Sequence, residues 1–477
     1  MSPPPSGGRE APTEPEPVLV SGFGRASASA AVTTLVRSPD HLDELIARRA
    51  ASGGRALARG LGRAYGDAAQ CAGGLVFDCR GLDQVLELDA TRGVVRVEAG
   101  CSLRALLAAI VPAGWFLPVT PGTAEVTIGG AIAADVHGKN HHRDGTFSAF
   151  VDELVLHTPV GRRTLSPADS PEPFFATVAG MGLTGVISQA TLRLAPITTS
   201  KMVVETRRGA DLDQTMEILE RADASHHYSV AWVDGVARGR CFGRSVITLG
   251  EHAGIEDLPA HQRTDPLAPA RARCLPVPPG LPRLISAPLI HAFNATYFRR
   301  APRRATREVL AYPPYFYPLD ALADWNRLYG RRGFLQYQYV VPDERADVVR
   351  LVFERLIAAG QHPSLVVLKR FGAAGPAPLS FPRPGWTVAI DLLAGTEDLA
   401  ATLDRVDELV ASAGGRVYFA KDGRLRPELV AAMYPELGRW QAARAELDPD
   451  GLFVSDLARR LHLVAPEPRF APGGRDE

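Results

Sequence analysis

Ala58–Asp67 reads ARGLGRAYGD, with Gly60, Gly62 and Gly66 alternating with Arg59, Arg63 and Tyr65. Glycines let a backbone approach a ligand closely and take positive φ. Arginines supply planar donors that match phosphate. A second stretch, Pro121–His142, reads PGTAEVTIGGAIAADVHGKNHH. Gly129 and Gly130, followed by Ala131, Ala133 and Ala134, leave almost no side chain there. A ligand against such a stretch is held by main-chain N–H groups, as anions are in backbone nests. Tight helix–strand packing explains the Pro121–His142 stretch alone equally well; two glycine-rich stretches in one chain predict a long ligand carrying a diphosphate. Neither continues into Gly-Lys-Ser/Thr, so neither is a P-loop.

The second stretch ends in His137, Lys139, His141 and His142. His137 is either a group that orients a ligand or a hydrogen-bonded structural histidine, and Gly138 beside it suggests crowding by a ligand. His141 and His142 are expected on the surface or in a loop. His137 and His141 form HxxxH, but Gly138 within it and the lack of a Glu or third ligand argue against a metal. Gly180–Gly185 reads GMGLTG, formally GxGxxG. A dinucleotide fingerprint must open a helix, whereas Val186–Leu194 is rich in β-branched residues and alternates like a strand. A nicotinamide site is therefore not expected.

These residues need elements to hold them. Asp40–Ala51 has the apolar spacing of a helix, as does Ser102–Ile110 behind a Ser cap. Gly74–Asp78, Val94–Glu98 and Val186–Leu194 read as strands, and Asp152–His157 with Arg162–Leu165 as a hairpin. Lys201–Pro318 is less informative: Leu212–Arg221 looks helical, Ala231–Asp234 looks like a strand, and Gly250–Pro282 reads as loop. Phe334–Val341, Arg345–Ala359, Ser364–Phe371, Trp386–Leu393, Asp398–Ala411 and Arg416–Ala420 spell β-α-β-β-α-β, a ferredoxin-like pattern. Helical stretches Pro427–Tyr434 and Leu437–Glu446 follow. The strand period of two puts Gln336 and Gln338 on one side, with Lys369 on the next strand and Thr387, Ala389 and Asp391 sharing a side of the third. A sheet face bearing Gln and Lys instead of Val and Leu covers something polar. Lys421 follows the last strand in Ala420-Lys-Asp.

The chain has 477 residues, enough for two domains, and 53 basic against 53 acidic side chains. Zero net charge argues against a nucleic-acid-binding surface. No apolar run approaches the ~18 residues of a membrane span. Residues 1–18 are Pro-rich and polar, without the apolar core of a signal peptide, and are expected to be a disordered tail. Five cysteines, odd in number and lacking CxxC, fit a reducing cytoplasm without a disulfide framework or zinc site.

ARGLGRAYGD, PGT…VTIGGAIAADVHGKNHH and GLTG at Gly182–Gly185 resemble the FAD-binding domain of the vanillyl-alcohol-oxidase type. Within that superfamily the chain is similar to the decaprenylphosphoryl-β-D-ribose 2-oxidase family. The resemblance continues through FLQYQYVVP (Phe334–Pro342), PLSFPRPGW (Pro378–Trp386), AKD (Ala420–Asp422) and SDLARRL (Ser455–Leu461). It implies an α+β fold: a two-part FAD-binding domain of the PCMH type over residues 19–197 and a substrate (cap) domain over 198–415, whose antiparallel sheet covers the flavin. Residues 416–477 then return to the FAD domain. By resemblance the cofactor contacts are Arg59, Gly60, Leu61, Gly62, Arg63, Ala64, Tyr65, Gly66 and Asp67 in the first stretch. In the second they are Gly122, Thr123, Thr127, Ile128, Gly129, Gly130, Ala134, Asp135, Val136 and His137. Gly182, Ile187 and Tyr418 complete them. Several oxidases of the superfamily place a flavin-linked histidine where Arg63 stands, so FAD is expected to be non-covalent.

The implied reaction is oxidation of a sugar secondary hydroxyl to a ketone by hydride transfer to flavin N5. The implied substrate is decaprenylphosphoryl-β-D-ribose, oxidised at C2. Lys421 is expected as the base or as a charge that stabilises reduced flavin or substrate phosphate, and His137 as a second catalytic residue that orients substrate or stabilises charge. Substrate contacts are expected from Lys369, Gln336, Tyr65, Trp232, Lys139, Thr387, Ala389 and Tyr317. The family pattern commonly has Asn and Cys at the positions of Thr387 and Ala389, and His at that of Tyr317. These departures bear on pocket shape and keep a second substrate class open: a soluble nucleoside, polyol or aldonolactone. A non-catalytic nucleotide-binding protein is the alternative of another class, and the intact glycine stretches argue against it. The resemblance also implies a separate NAD-dependent short-chain reductase as partner, and a polyprenyl substrate implies peripheral association with the inner face of the plasma membrane.

Overall fold

The computed structural model describes residues 16–269, 274–278 and 285–464. It is a mixed α+β structure built on three main sheets. The first has the order Val18–Ser21, Ala28–Leu35, Leu75–Asp78, Ala56–Arg59. Val18 pairs with Ala31, so the sheet begins inside the stretch expected as tail; the rest of that stretch, residues 1–15, lies outside the described residues. Helix Pro39–Ala51 starts where the Ser38 hydroxyl accepts from the His41 amide at 3.1 Å, and it buries Leu42, Leu45 and Ile46.

The second sheet runs Val85–Asp89, Val94–Glu98, Val186–Arg193, Val151–Thr158, Gly161–Leu165, all antiparallel. Val186–Arg193 is its central strand, so the GMGLTG turn opens a strand, with φ of 75° at Gly182 and 150° at Gly185. The second glycine-rich stretch contains a short helix, Ile128–Ala133, where a loop was expected. Thr127 starts it: its hydroxyl accepts from the Gly130 amide at 3.2 Å. Gly129 lets this helix sit on Ala99, since a Cβ there would stand 3.1 Å from the Ala99 methyl.

The third sheet has eight antiparallel strands in the order Thr306–Ala311, Lys201–Gly209, Ser245–His252, Tyr228–Val233, Leu365–Phe371, Gly385–Leu393, Phe334–Val341, Arg416–Val417. The segment that was least informative in sequence supplies half of it. Gly250–His252, expected as loop, is strand; residues 270–273 and 279–282 of that expected loop lie outside the described residues. Each half reads fourth, first, third, second strand of its own segment from the edge to the middle, where Ala231 and Trp232 pair with Leu368 and Val367. Helix Leu212–Asp223 packs on the first half, and helices Asp347–Ala358 and Leu399–Ser412 pack together on the second. They bury Val349, Val352, Leu403 and Val406. The last strand is shorter than expected because the chain turns at once: the Lys421 amide donates to Tyr418 O at 2.9 Å.

After that turn the chain packs against the first two sheets. Phe453 bridges Ala56, the Trp440 indole donates to Ala176 O at 3.0 Å, and Arg460 pairs with Asp67 at 2.8 Å.

Candidate active site

The strand Ala56–Arg59 ends in the first glycine turn, where Gly62 has φ 63°. A Cβ on Gly60 would fall 2.2 Å from the Thr127 hydroxyl, so the two glycine-rich stretches touch. The Arg59 guanidinium donates to Ser21 O and Ala69 O, each at 2.8 Å. Two of its donors are thus committed to main-chain carbonyls, while the residue still lines the cavity described next. Arg63 donates to Glu125 O at 3.1 Å and lies 4.8 Å over the Phe23 ring.

Between these stretches and the third sheet is a cavity of about 580 Å³. Arg59–Tyr65 line it without a gap, together with Gly122, Thr123, Thr127, Gly129 and Gly130. Ala134, Val136, His137, Gly182, Ile187 and Tyr418 line it too. A Cβ on Gly122 would meet no atom within 4 Å, so the backbone there faces free space. From the opposite side Gln336, Lys369, Ala389 and Lys421 line the same cavity. The polar face read from strand periodicity thus covers the glycine-rich floor.

His137 is buried among Phe371, Phe381 and Tyr418, with ring centroids 4.7, 5.6 and 5.3 Å away. Burial, then Lys369, His141 and Lys421, hold its pKa well below the usual range, so the ring is neutral. Its tautomer follows from a chain of partners. The Thr387 hydroxyl donates to Tyr339 O at 2.9 Å, and so accepts from the Gln338 amide nitrogen at 3.2 Å. The same nitrogen donates to His137 Nε2 at 3.0 Å. The proton therefore sits on Nδ1, which is buried and has no protein partner.

Lys421 lies 3.7 Å over the Tyr65 ring. The Tyr65 amide donates to Ala420 O at 2.9 Å, and a Cβ on Gly66 would fall 1.8 Å from Asp422 O, so the two backbones are in contact. The surface Lys421 retains lines the cavity, and burial pushes its amine down to about 7; Asp391 opposes that shift and Lys369 adds to it. Asp391 is itself fully buried and pushed up to about 7 by burial, against the pull of Gln336, whose amide donates to it at 2.6 Å. Burial lowers Lys369 to about 8.

Other expected residues stand outside the cavity lining. The Lys139 amine donates to Tyr315 O and lies 4.0 Å over that ring. Tyr317 shares a 2.6 Å hydrogen bond with Thr120 and lines a separate small pocket. Trp232 packs on Tyr297, and Thr387 is one layer behind Gln338. Gly66 is the close contact just described, Asp67 pairs with Arg460, Ile128 is core, and Asp135 accepts from Ser380 at 2.5 Å. His141, expected at the surface, is buried with its ring 4.4 Å from that of Phe371.

Sequence reasoning did not single out Asp320 or Trp325, which also line the cavity. Asp320 accepts from the Ala124 amide at 2.8 Å and Thr123 hydroxyl at 2.6 Å, holding the start of the second stretch. No local signal marks it, because its partners are 196 and 197 residues away in sequence. Gln338 was legible from the strand period as the neighbour of Gln336.

The continuous small-residue floor, the free space at Gly122 and the unpartnered donor at His137 Nδ1 fit a dinucleotide-sized cofactor with a polar ring system. Comparison with known proteins agrees. The family described as FAD binding domain matches residues 30–165, and that described as D-arabinono-1,4-lactone oxidase matches residues 397–461. Decaprenylphosphoryl-beta-D-ribose oxidase of Mycolicibacterium smegmatis is 38% identical over 93% of this chain and 97% of its own. An uncharacterized protein of Streptomyces coelicolor is 41% identical over 76% of this chain and 100% of its own. L-gulono-1,4-lactone dehydrogenase of Mycobacterium tuberculosis is 26% identical over 89% of this chain and 94% of its own. The chain belongs to the decaprenylphosphoryl-β-D-ribose oxidase family, and is an FAD-dependent oxidoreductase acting on CH–OH groups.

Proposed function

We propose that this enzyme oxidises the C2 hydroxyl of decaprenylphosphoryl-β-D-ribose to the ketone, the first half of an epimerisation to the arabinose form. The observation that carries the reading is Lys421: an amine pushed down to about 7, held over Tyr65 on the wall of the cavity floored by both glycine stretches. At neutral pH a substantial fraction of that amine is unprotonated and can take the hydroxyl proton. FAD, when bound, supplies the hydride acceptor. Gln336 and Lys369 offer donors to sugar oxygens from the ceiling, and His137 offers Nδ1–H from the floor. The test is anaerobic mixing of the FAD-loaded enzyme with decaprenylphosphoryl ribose: flavin absorbance bleaches and mass spectrometry finds a product two hydrogens lighter.

The match to D-arabinono-1,4-lactone oxidase and the relative named L-gulono-1,4-lactone dehydrogenase support a second reading, a soluble aldonolactone or polyol. Bleaching by such a compound and none by the lipid-linked ribose would establish it.

The FAD is proposed to be non-covalent, since Arg63 stands where linked relatives carry histidine. Acid precipitation should release the yellow colour to the supernatant. A separate NAD-dependent short-chain reductase is proposed to reduce the ketone to the arabinose form. The repeated strand order supports reading each half of the ceiling sheet as a ferredoxin-like unit.

A further inference from the structure

Helix Ala287–Arg300 buries Ile290 and Asn294 and turns a second stripe outward. Leu289, Phe293 and Tyr297, four residues apart, are 48%, 55% and 42% exposed. Phe293 and Tyr297 stack on each other at 5.9 Å, making one continuous apolar surface. Water-facing positions of a surface helix are normally polar, and a contiguous apolar patch marks an interaction site.

The stripe lies near the mouth of the cavity. Ile290, on the buried side that adjoins this stripe, joins a cluster with Phe23 and Trp325, both of which line the cavity. Leu322, three residues before Trp325, is exposed, and its parallel partner Leu275 is 65% exposed. Their neighbours Cys274 and Ala323 line the cavity. Five of the eleven exposed large apolar side chains among the described residues therefore belong to this helix and this strand pair.

The same helix runs into positive charge. Arg299 and Arg300 occupy its last turn, and Arg303 and Arg304 follow; all four are exposed. Among the described residues no carboxylate pairs with any of them, whereas Arg307 beyond them pairs with Asp257 at 3.3 Å. Arg208 reaches in from the end of strand Lys201–Gly209, donating to Arg299 O at 2.9 Å, so a fifth guanidinium sits beside the helix end. An apolar stripe with Phe and Tyr, continued by unpaired arginines, is the arrangement of a helix that lies in a bilayer interface with its cations on anionic headgroups. Among the described residues no helix is long and apolar enough to cross a membrane.

We propose that helix Ala287–Arg300 and Arg299–Arg304 dock the enzyme on an anionic lipid bilayer, turning the cavity mouth toward the membrane. The purpose of this surface rests on the polyprenyl-linked substrate: the sugar can enter the cavity while its lipid chain stays in the bilayer.

The test is co-sedimentation of the FAD-loaded full chain with vesicles of phosphatidylcholine alone or mixed with phosphatidylglycerol. Binding is expected with the mixed vesicles, weakly with the neutral ones, and should fall steeply with salt. Combined Arg299→Ala, Arg300→Ala, Arg303→Ala and Arg304→Ala should weaken it by about tenfold or more. Leu289→Ser with Phe293→Ser should weaken it on both vesicle types. Flavin absorbance and flavin reduction by a short-chain, water-soluble phosphoryl ribose should stay unchanged in both variants. No sedimentation, equal binding to neutral vesicles, or binding untouched by both variants would overturn the proposal. So would capture of a protein partner by this face without vesicle binding. An enzyme that oxidises the lipid-linked ribose but ignores vesicles loses the docking surface and keeps the reaction; vesicle binding by an enzyme inert toward that sugar does the reverse.

Discussion

The Gln338 side-chain nitrogen donates to His137 Nε2 at 3.0 Å across the interface between the third sheet and the cofactor floor. Because Thr387 has committed its own proton to Tyr339 O, the amide cannot flip without facing its oxygen to a second acceptor. Thr387 is thus a positioning residue that reaches the cavity through Gln338 and His137. Replacing it by Val removes the acceptor that fixes the amide, at a cost of about 1 kcal/mol. Nitrogen NMR of the His137 ring should show the Nδ1–H tautomer in the native enzyme and a mixture in Thr387→Val. A single unchanged tautomer in that variant would remove Thr387 from the relay.

Lys421→Met should retain FAD and the fold while slowing flavin reduction by substrate about 10²- to 10⁴-fold, the usual range for loss of a general base. Rapid-mixing spectroscopy reads this directly. A rate within a few-fold of the native enzyme would assign proton removal to another group.

The pH profile has a definite sign. The amine is active when neutral, so the rate of flavin reduction should rise with pH through about 7 and level off above it. The Asp391 carboxylate favours the charged amine, so Asp391→Asn should move that rise to lower pH. A move to higher pH, or none, would separate the two groups.

Gly66→Ala places a methyl where Asp422 O stands 1.8 Å from the ideal Cβ. Both neighbours are backbone, so the joint must open. We expect a loss of about 1–3 kcal/mol in stability, read as a lower Tm, together with slower flavin reduction because Lys421 moves with Asp422. Normal kinetics at reduced Tm would show that the joint holds the fold without setting the amine.

Ala389 is on the cavity wall, where the family pattern commonly has Cys. Ala389→Cys should therefore gain a covalent adduct with thiol-seeking nitroaromatic compounds after turnover, seen by mass spectrometry of the peptide. An unmodified peptide would mean that the side chain is not reachable from the cavity.

The two glycine-rich stretches, the strand after GMGLTG and the face shared by Gln336, Gln338 and Asp391 were legible in the chain. Each depends on local rules: small residues where backbones must approach, and a side-chain period of two. The short helix at Ile128–Ala133 was hidden because Gly129 and Gly130 depress helix propensity, and the Thr127 cap with packing on Ala99 overrides it. The first half of the ceiling sheet was hidden because its two outermost strands, Lys201–Gly209 and Thr306–Ala311, are broken by charge.

By itself the sequence determined which residue types face the cavity: a floor of glycines and alanines with arginine and tyrosine between them, a ceiling with amides and amines, and a lysine just beyond the last strand. Only the tertiary structure decided which of them share one cavity. It withdrew Lys139, Tyr317 and Trp232 from the lining, bound the Arg59 donors to two carbonyls, and brought Asp320 to Thr123. The reason is physical. Residue chemistry and periodicity are local properties, whereas burial, proton position and the pKa of Lys421 depend on neighbours that reach it from distant parts of the chain.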